Sequence, residues 1–304
     1  MESTQVKQAI NMETEQSGMA EVFLKGLTFL ELELTAKCNL TCTHCYAESG
    51  PRLPLRQGMS YQDWHKIILD GYTLGCRAVQ FVGGEPTLHP DLPALVEAAH
   101  QAGYEVIEVF TNGTVLNQNM LKVFKACNVT LAFSIYGSTP AIHDAVTTQK
   151  GSHRKTVAGI RRALAIGLEI RVAVVEMQQN QADIEATKAL LQEIGVKTIK
   201  VDPMRRIGRG VVSIGDKGKM EELCGACWLG LLAVDPSGNV FPCIFSRFKK
   251  IGHVSQGLAD ILQQDELKQF RQSVREMHKV TICAPAAAEA NSLATEKPTN
   301  HSAS

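Results

Sequence analysis

The 304-residue sequence carries no net charge, because 31 Lys and Arg residues are matched by 31 Asp and Glu. No overall field therefore draws the molecule to DNA, RNA or an anionic membrane, and nucleic acid is not an expected partner. The sequence also lacks any apolar run of the about 18 residues that would mark a membrane-crossing helix. Its first 20 residues, MESTQVKQAINMETEQSGMA, are polar and lack the hydrophobic segment of a secretion signal. These absences point to a cytoplasmic protein with no membrane partner. No solenoid-type repeat is present either. What is there is a hydrophobic content of 44%, sufficient for a real core, in a chain long enough for an α/β barrel with an appendage. There are also nine cysteines. In the cytoplasm these would be reduced thiols, so tight clusters among them indicate metal or redox chemistry rather than a disulfide framework.

Along the chain, short β-branched or apolar runs alternate with helical patterns. Strands are expected at 28–34, 77–82, 104–110, 129–134, 169–176 and 196–201, with helices near 60–74, 91–102, 117–126, 153–166 and 181–194. Ser60 is placed to cap the first of these helices, with Asp63 at its third position, and Gly103, Gly167 and Gly195 each lie just past a helical stretch. Six strands with five intervening helices call for a parallel sheet with right-handed crossovers, and a partial (β/α)6 barrel is the natural form. After Val201 the rhythm stops. A basic, loop-like stretch, DPMRRIGRGVVSIGDKGK, leads into a second group of cysteines and sets a boundary near 202–223. A further helix is expected over 257–278, and the last 21 residues form a low-complexity tail expected to be disordered.

The segment AKCNLTCTHCYAE puts Cys38, Cys42 and Cys45 directly after the first strand, with C-x3-C-x2-C spacing. In parallel βα folds, functional groups collect in the loops that leave the C-terminal ends of the strands. The second strand runs into GGEP (83–86), the third into TNG (111–113), and the fourth ends at Ser134, so four features converge on one end of the sheet. Three thiolates can hold three irons of a cubane cluster and leave the fourth iron open to a ligand. A zinc ion would instead require a fourth ligand, either His44 or a distant residue.

The residues CNLTCTHC, GGEP and TNG resemble the radical S-adenosylmethionine (SAM) superfamily over about residues 25–202. The resemblance implies a SAM-binding 4Fe-4S cluster on Cys38, Cys42 and Cys45, with SAM chelated at the open iron. It implies that Gly83, Gly84 and Glu85 cradle the methionine amine, and that Asn112, Ser134 and Arg154 or Arg171 meet the ribose or carboxylate. Paired glycines let a backbone edge approach a ligand closely, and Glu85 offers a negative partner for an amine. The plain alternatives are a tight turn at GGEP, a turn residue at Asn112 and solvated surface charges at the two arginines. His44 and Tyr46 flank Cys45 and are candidates to pack on adenine or cover the cluster, with ordinary packing as the alternative.

The second group reads Cys224-x2-Cys227, then GNVFPC ending at Cys243, then Cys283. AVDPSGNVFPC resembles the SPASM or shorter twitch extension of radical SAM maturases, in which a glycine precedes a cysteine by five positions, as Gly238 precedes Cys243. The later C-x2-C-x3-C run of the full pattern is missing. One auxiliary 4Fe-4S cluster is therefore expected, on Cys224, Cys227 and Cys243, completed by Cys283 or a non-cysteine group. Two alternatives stay open: structural zinc on these cysteines, or Cys283 as a catalytic hydrogen-atom donor to a substrate radical. Cys76 and Cys127 have no partners in the pattern and are read as packing cysteines. Asp202, Arg205, Arg206 and Arg209 lie beyond the sixth strand, where a basic cluster could bind a carboxylate, a phosphate or a peptide backbone, or could be a solvated loop.

The expected organisation is thus a polar segment 1–24, a core 25–202, a small cysteine-rich auxiliary-cluster region 203–283 and a tail 284–304. The resemblance implies an enzyme that reductively cleaves SAM to a 5′-deoxyadenosyl radical and takes a hydrogen atom from a peptide or small-molecule secondary metabolite, with oxidation, crosslinking or epimerisation as the outcome. Its short relatives are peptide maturases on one side and aminosugar or aminocyclitol dehydrogenases and epimerases on the other. A reductant such as flavodoxin or ferredoxin would supply the electron. The competing reading is a non-catalytic iron-sulfur or zinc scaffold.

Overall fold

The computed structural model describes residues 26–214 and 220–277. The segment 1–24, Cys283 and the tail 284–304 lie outside the described residues. Strands β1 (Phe29–Glu33), β2 (Ala78–Val82), β3 (Val106–Thr111), β4 (Thr130–Ile135), β5 (Ile170–Glu176) and β6 (Thr198–Pro203) pair in parallel in chain order. Helices α1 (Tyr61–Thr73), α2 (Leu92–Ala102), α3 (Gln118–Ala126), α4 (Pro140–Thr147), α5 (Ser152–Ala165) and α6 (Ile184–Ile194) connect them. The α/β pattern expected from the sequence is therefore present, with one helix added. That addition, α4, is announced by Pro140 directly after its N-cap Thr139, where a fixed φ favours the first helical turn. At α1 the Ser60 hydroxyl accepts from Asp63 N while Asp63 Oδ2 accepts from Ser60 N at 2.9 Å, which closes a capping box.

Beyond the linker the sheet continues. β7 (Leu231–Val234) pairs in parallel with β1, and β8 (Asn239–Phe241) and β9 (Gly252–His253) follow antiparallel, giving the order β6-β5-β4-β3-β2-β1-β7-β8-β9. The second cysteine region is thus stitched into the main sheet through β1. Two local expectations are corrected. The single helix expected over 257–278 is two, α8 (Leu258–Gln263) and α9 (Asp265–Met277), because Gln264 between them is extended at φ −65° and ψ 131°. The stretch 202–223, read as a loop, contains a short helix α7 (Arg209–Ile214).

Successive side chains of a strand point to opposite faces. On β1, Leu30 and Leu32 face outward into the core beneath the helices, with Val79, Phe81, Trp64 and Leu95. Phe29, Glu31 and Glu33 face the other way, into the interior of the curved sheet. Glu31, Gln80 and Glu108 stand side by side across β1, β2 and β3, all three buried. Buried charges are costly unless paired. Here Gln80 donates to Glu108, Arg171 grips the same carboxylate with two bonds of 2.6 Å, and Arg247 binds Glu33. Arg271, fully buried on α9, donates to Gly26 O at 3.0 Å and Leu231 O at 2.9 Å, fastening that helix to β7. Burial pulls its guanidinium down to about 10.

Replacing Ser60 by Ala opens the capping box, at a cost of about 1 kcal/mol. For a domain of this size that lowers Tm by about 2–4 °C, measurable by circular dichroism, with the iron content of the reconstituted protein unchanged.

Candidate active site

The loop after β1 is held on two sides. Thr41 N and Thr43 N donate to Thr147 O (3.3 Å) and Val146 O (3.0 Å) at the end of α4, while Arg209 donates to Cys42 O (2.7 Å) and Ser49 O (2.9 Å) from the linker. This fixes Cys38, Cys42 and Cys45 in one turn region. Burial pushes the Cys38 thiol up to about 12, with the charges of Glu85 and Cys45 adding to it, and burial raises Cys42 as well. Cys38 and Cys42 each lie close enough to the neighbouring cysteines to feel their charge, and thiolates gathered in this way suit a cationic group that several of them share. Among the described residues, no three Cys, His, Asp or Glu side chains converge on a point that could hold a single metal ion. A cubane takes its thiolates at separate irons and does not require such convergence. His44 does not join the cysteines as a fourth ligand. Its ring stands edge-on to Tyr136 at 4.7 Å.

The GGEP turn packs against the backbone that leads into this loop. Gly84 N donates to Thr35 O at 2.6 Å and Glu85 N to Lys37 O at 2.9 Å. A Cβ on Gly84 would lie 2.3 Å from Lys37 O, so only glycine permits the approach. Gly83, at φ +132°, is in the same position against Thr35 O, 2.5 Å from where its Cβ would stand. Glu85 is fully buried and faces inward to the protein: Oε1 accepts from Thr87 N (3.1 Å), Thr87 Oγ1 (2.6 Å) and Thr111 Oγ1 (2.5 Å), and Oε2 from Asn112 N (2.7 Å). Burial holds its carboxyl above the usual range, although four donors oppose that shift. Glu85 is therefore placed as a clamp between loops rather than as a free anion for an amine.

Asn112, expected at the ribose or carboxylate of SAM, lies beside Cys38. Its Nδ2 lies 3.8 Å from Cys38 Sγ and donates to Asn39 Oδ1 at 3.0 Å, and Thr156 of α5 donates to its carbonyl at 2.7 Å. Ser134 is half-buried on the inner face of β4 and hydrogen-bonds Tyr136. The two arginines are placed elsewhere. Arg171 is committed to Glu108 in the interior. Arg154 is exposed on α5, two residues before Thr156; two residues turn a helix by about 200°, so it faces away from the Asn112 loop. Tyr46 turns from the first cysteine group toward the second, edge-on to Phe245 at 5.3 Å and hydrogen-bonded to Glu33.

The second group is assembled as well. Cys227 Sγ and Cys243 Sγ are 2.9 Å apart and buried, and Cys224 is close enough to feel the charge of Cys243. Burial raises Cys243, but its hydrogen bonds with Cys227 and Ser246 hold it below its ordinary value, while the contact between the two sulfurs pushes Cys227 up. Cys283 lies outside the described residues. Gly238, at φ +83°, turns the β7–β8 hairpin that carries Cys243, and a Cβ there would meet His253 Nε2 at 2.7 Å. Cys76 and Cys127 are buried in the outer core. The linker arginines bind the chain itself: Arg205 donates to Glu222 O, and Arg206 to the Glu222 carboxylate at 2.6 and 3.0 Å.

Sequence reasoning missed Glu31, Glu33 and Tyr136. Tyr136 is buried among Cys38, Cys42 and Cys45, close enough that their charges raise its hydroxyl after burial itself. Glu31 accepts from Ile244 N at 3.0 Å, one residue past Cys243. The alternation FLELE in β1 was a visible signal that two glutamates share the inner face.

Residues 32–191 match the family model of the radical SAM superfamily, and the chain belongs to that superfamily. Residues 224–285 match SPASM, an iron-sulfur cluster-binding domain, so within the superfamily it is of the SPASM type, with 4Fe-4S clusters and SAM as its cofactors. Similar proteins include an Fe-coproporphyrin III synthase of Methanosarcina barkeri, 27% identical over 62% of this chain and 47% of that protein. AlbA of Bacillus subtilis, an antilisterial bacteriocin subtilosin biosynthesis protein, is 24% identical over 73% of this chain and 56% of its own length. The chain spans about half the length of the curated relatives it matches. Among solved structures, Streptococcus suis SuiB bound to precursor peptide SuiA shares the fold with a TM-score of 0.65 and 14% identity, over 81% of this chain and 66% of that one.

Gly84→Ala forces its new methyl into Lys37 O and displaces the cysteine loop. Anaerobic reconstitution of this variant is expected to lose about four of about eight irons while the auxiliary set stays loaded. Full iron content would show that the glycine is not needed there.

Proposed function

We propose that the protein is a radical SAM enzyme that oxidises or crosslinks a peptide, with the group on Cys224, Cys227 and Cys243 accepting the electron left after hydrogen abstraction. The observation that carries this reading is the convergence of both cysteine groups on one polar interior. Cys38 is tied to the GGEP and TNG loops through Asn112 and Glu85, and Cys243 borders Glu31 on the inner face of β1. When bound, the first cluster supplies the electron that cleaves SAM to methionine and a 5′-deoxyadenosyl radical, which removes a hydrogen atom from substrate.

The residues of the chain divide the remaining work. Cys38, Cys42 and Cys45 would hold that cluster, and the backbone of Gly83 and Gly84 is the part of the GGEP turn left to meet the methionine amine. Asn112 and Ser134 stand at the same strand ends for the ribose or carboxylate, and Tyr136 covers the cysteines from one side. Asp235, Arg247 and Glu33 line the interior next to the auxiliary group. Glu33 Oε1 and Arg247 Nε are buried without a hydrogen-bond partner among the described residues, an acceptor and a donor, respectively, of the kind a peptide backbone complements. AlbA and the SuiB complex support a peptide over a sugar. No helix among the described residues is long and apolar enough to cross a membrane, which fits the proposed cytoplasmic location. Epimerisation remains the second outcome, with Cys283 as hydrogen donor.

The test is anaerobic reconstitution, an iron count, and addition of SAM and dithionite. About eight irons per chain with formation of 5′-deoxyadenosine is expected. Zinc in place of iron, or reduced clusters that never cleave SAM, would leave the scaffold reading. Cys283→Ala then separates the two outcomes: lower iron content assigns it to the cluster, whereas full iron and SAM cleavage without completed product assigns it as donor.

A further inference from the structure

Reductive chemistry at Cys38, Cys42 and Cys45 needs an electron from outside the chain, and the α4–α5 unit that carries this loop offers an entry for it. A file of rings crosses the unit. His44, between Cys42 and Cys45, stands 4.7 Å from Tyr136 between ring centroids; Tyr136 lies 5.3 Å from His143 of α4, and His143 lies 5.5 Å from His153 of α5. Tyr136, His143 and His153 are buried. The Nδ1 of His143 accepts from Tyr136 N at 3.2 Å, which ties those two rings together, while the Nδ1 of His44 and the Nε2 atoms of His143 and His153 have no hydrogen-bond partner among the described residues. Burial holds His143 down at about 4 and lowers His153.

At its outer end the file reaches a surface hollow where His153 meets Pro140, Arg161 and Leu190. Helix α5, SHRKTVAGIRRALA, contains no acidic residue, and Arg154, Lys155, Arg161 and Arg162 are all exposed. At 3.6 residues per turn these four cations lie within a stripe about 120° wide, with His153 about 80° beyond its edge; His153, Arg154 and Arg161 nevertheless line the same hollow. None of the four makes an ion pair among the described residues. Two carboxylates border the stripe and their charges reach His153: Asp144 accepts from Gly151 N, Ser152 Oγ and His153 N, and Asp183 from Ser138. A molecule with no net charge therefore concentrates positive charge on one helix, beside the end of the ring file.

We propose that α5 is the docking surface for a small acidic one-electron carrier protein, and that the packed rings His153, His143, Tyr136 and His44 are the route from that surface to the Cys38–Cys45 cluster. Charge complementarity orients the carrier. The carrier is oxidised by one electron and the cluster is reduced by one; no bond forms or breaks, and the rings serve as close-packed matter through which the electron tunnels. The ring file favours an electron carrier over nucleic acid or a membrane as the occupant of the basic stripe. The inference rests on the radical SAM reading, and dithionite separates the failure of one from the failure of the other.

The experiment uses the reconstituted full chain with reduced flavodoxin as probe, following cluster bleaching by stopped flow at several salt concentrations, and measures binding of oxidised flavodoxin by calorimetry. Lys155→Glu with Arg161→Glu is expected to weaken binding and slow reduction at low salt by at least about tenfold, and to flatten the salt dependence, while reduction by dithionite is unchanged. His153→Leu is expected to slow reduction several-fold without changing the affinity for flavodoxin, and His153→Phe, which restores a ring, to recover most of the rate. Equal rates and affinities in wild type and charge-reversal variant would overturn the docking surface, and equal rates in His153→Leu and wild type would overturn the route. If the wild type binds duplex DNA or anionic vesicles through these lysine and arginine residues but not flavodoxin, the proposal also fails. Absence of SAM cleavage with dithionite in the wild type would instead sink the reading on which it rests.

Discussion

The Glu85 carboxylate is the contact on which the arrangement of this protein depends. It is fully buried, and its two oxygens take four donors from two places in the chain: its own turn at Thr87, and the end of β3 at Thr111 and Asn112. A buried carboxylate is tolerated only when its hydrogen-bonding capacity is met, so the turn after β2 and the loop after β3 must stay together. Asn112 extends the constraint to Cys38 and Asn39, and Thr156 extends it to α5. The glycines of the same turn press against the backbone from Thr35 to Lys37. Three loops that begin on separate strands are thereby locked into one surface before any cofactor binds. Such prior organisation places polar groups without a cost of reorganisation at the moment of reaction.

The interior below that surface follows a second rule. Parallel strands covered on both faces are usually apolar throughout, and the outward face here conforms. The inward face instead carries Glu31, Glu33, Gln80, Glu108 and Arg171, each with at least one hydrogen-bond partner. Apolar residues at these positions would fill the interior as a packed core, and the choice of paired charges is the signature of a space kept for chemistry. The pairing also explains why Arg171 is not at the SAM end: its guanidinium is the counter-ion that allows Glu108 to stay buried.

How much of this was legible in the sequence depended on range along the chain. The cysteine spacing, the capping box at Ser60, the βα rhythm and the gathering of loops at strand ends are local patterns, and each reappears in the structure. Contacts between distant segments were not legible. That Glu85 would be met by Thr111 rather than by a ligand depends on how β2 and β3 pair, and that β7 would join β1 depends on a segment some 200 residues away. Arg154 and Thr156 are a different case: helical phase alone separates the one that faces the Asn112 loop from the one that faces solvent. The two glutamates of FLELE were equally open to a reading by alternation.

The join between β1 and β7 has a consequence for the two cysteine groups. Both hang from the same strand pair, and side-chain contacts cross between them: Tyr46 follows Cys45 but packs on Phe245 and bonds Glu33, Arg247 answers Glu33 from beyond Cys243, and Arg209 holds the first loop from the linker that leads to Cys224. Arg205 and Arg206 fix that linker to Glu222, just before Cys224. Residues that share partners in this way do not contribute independently. The separation between the two metal-binding groups is therefore set by a rigid, cross-braced strand pair rather than by a flexible hinge. Under the proposed function, a substrate held between them would meet the radical source on one side and the electron acceptor on the other at a distance that the fold itself determines.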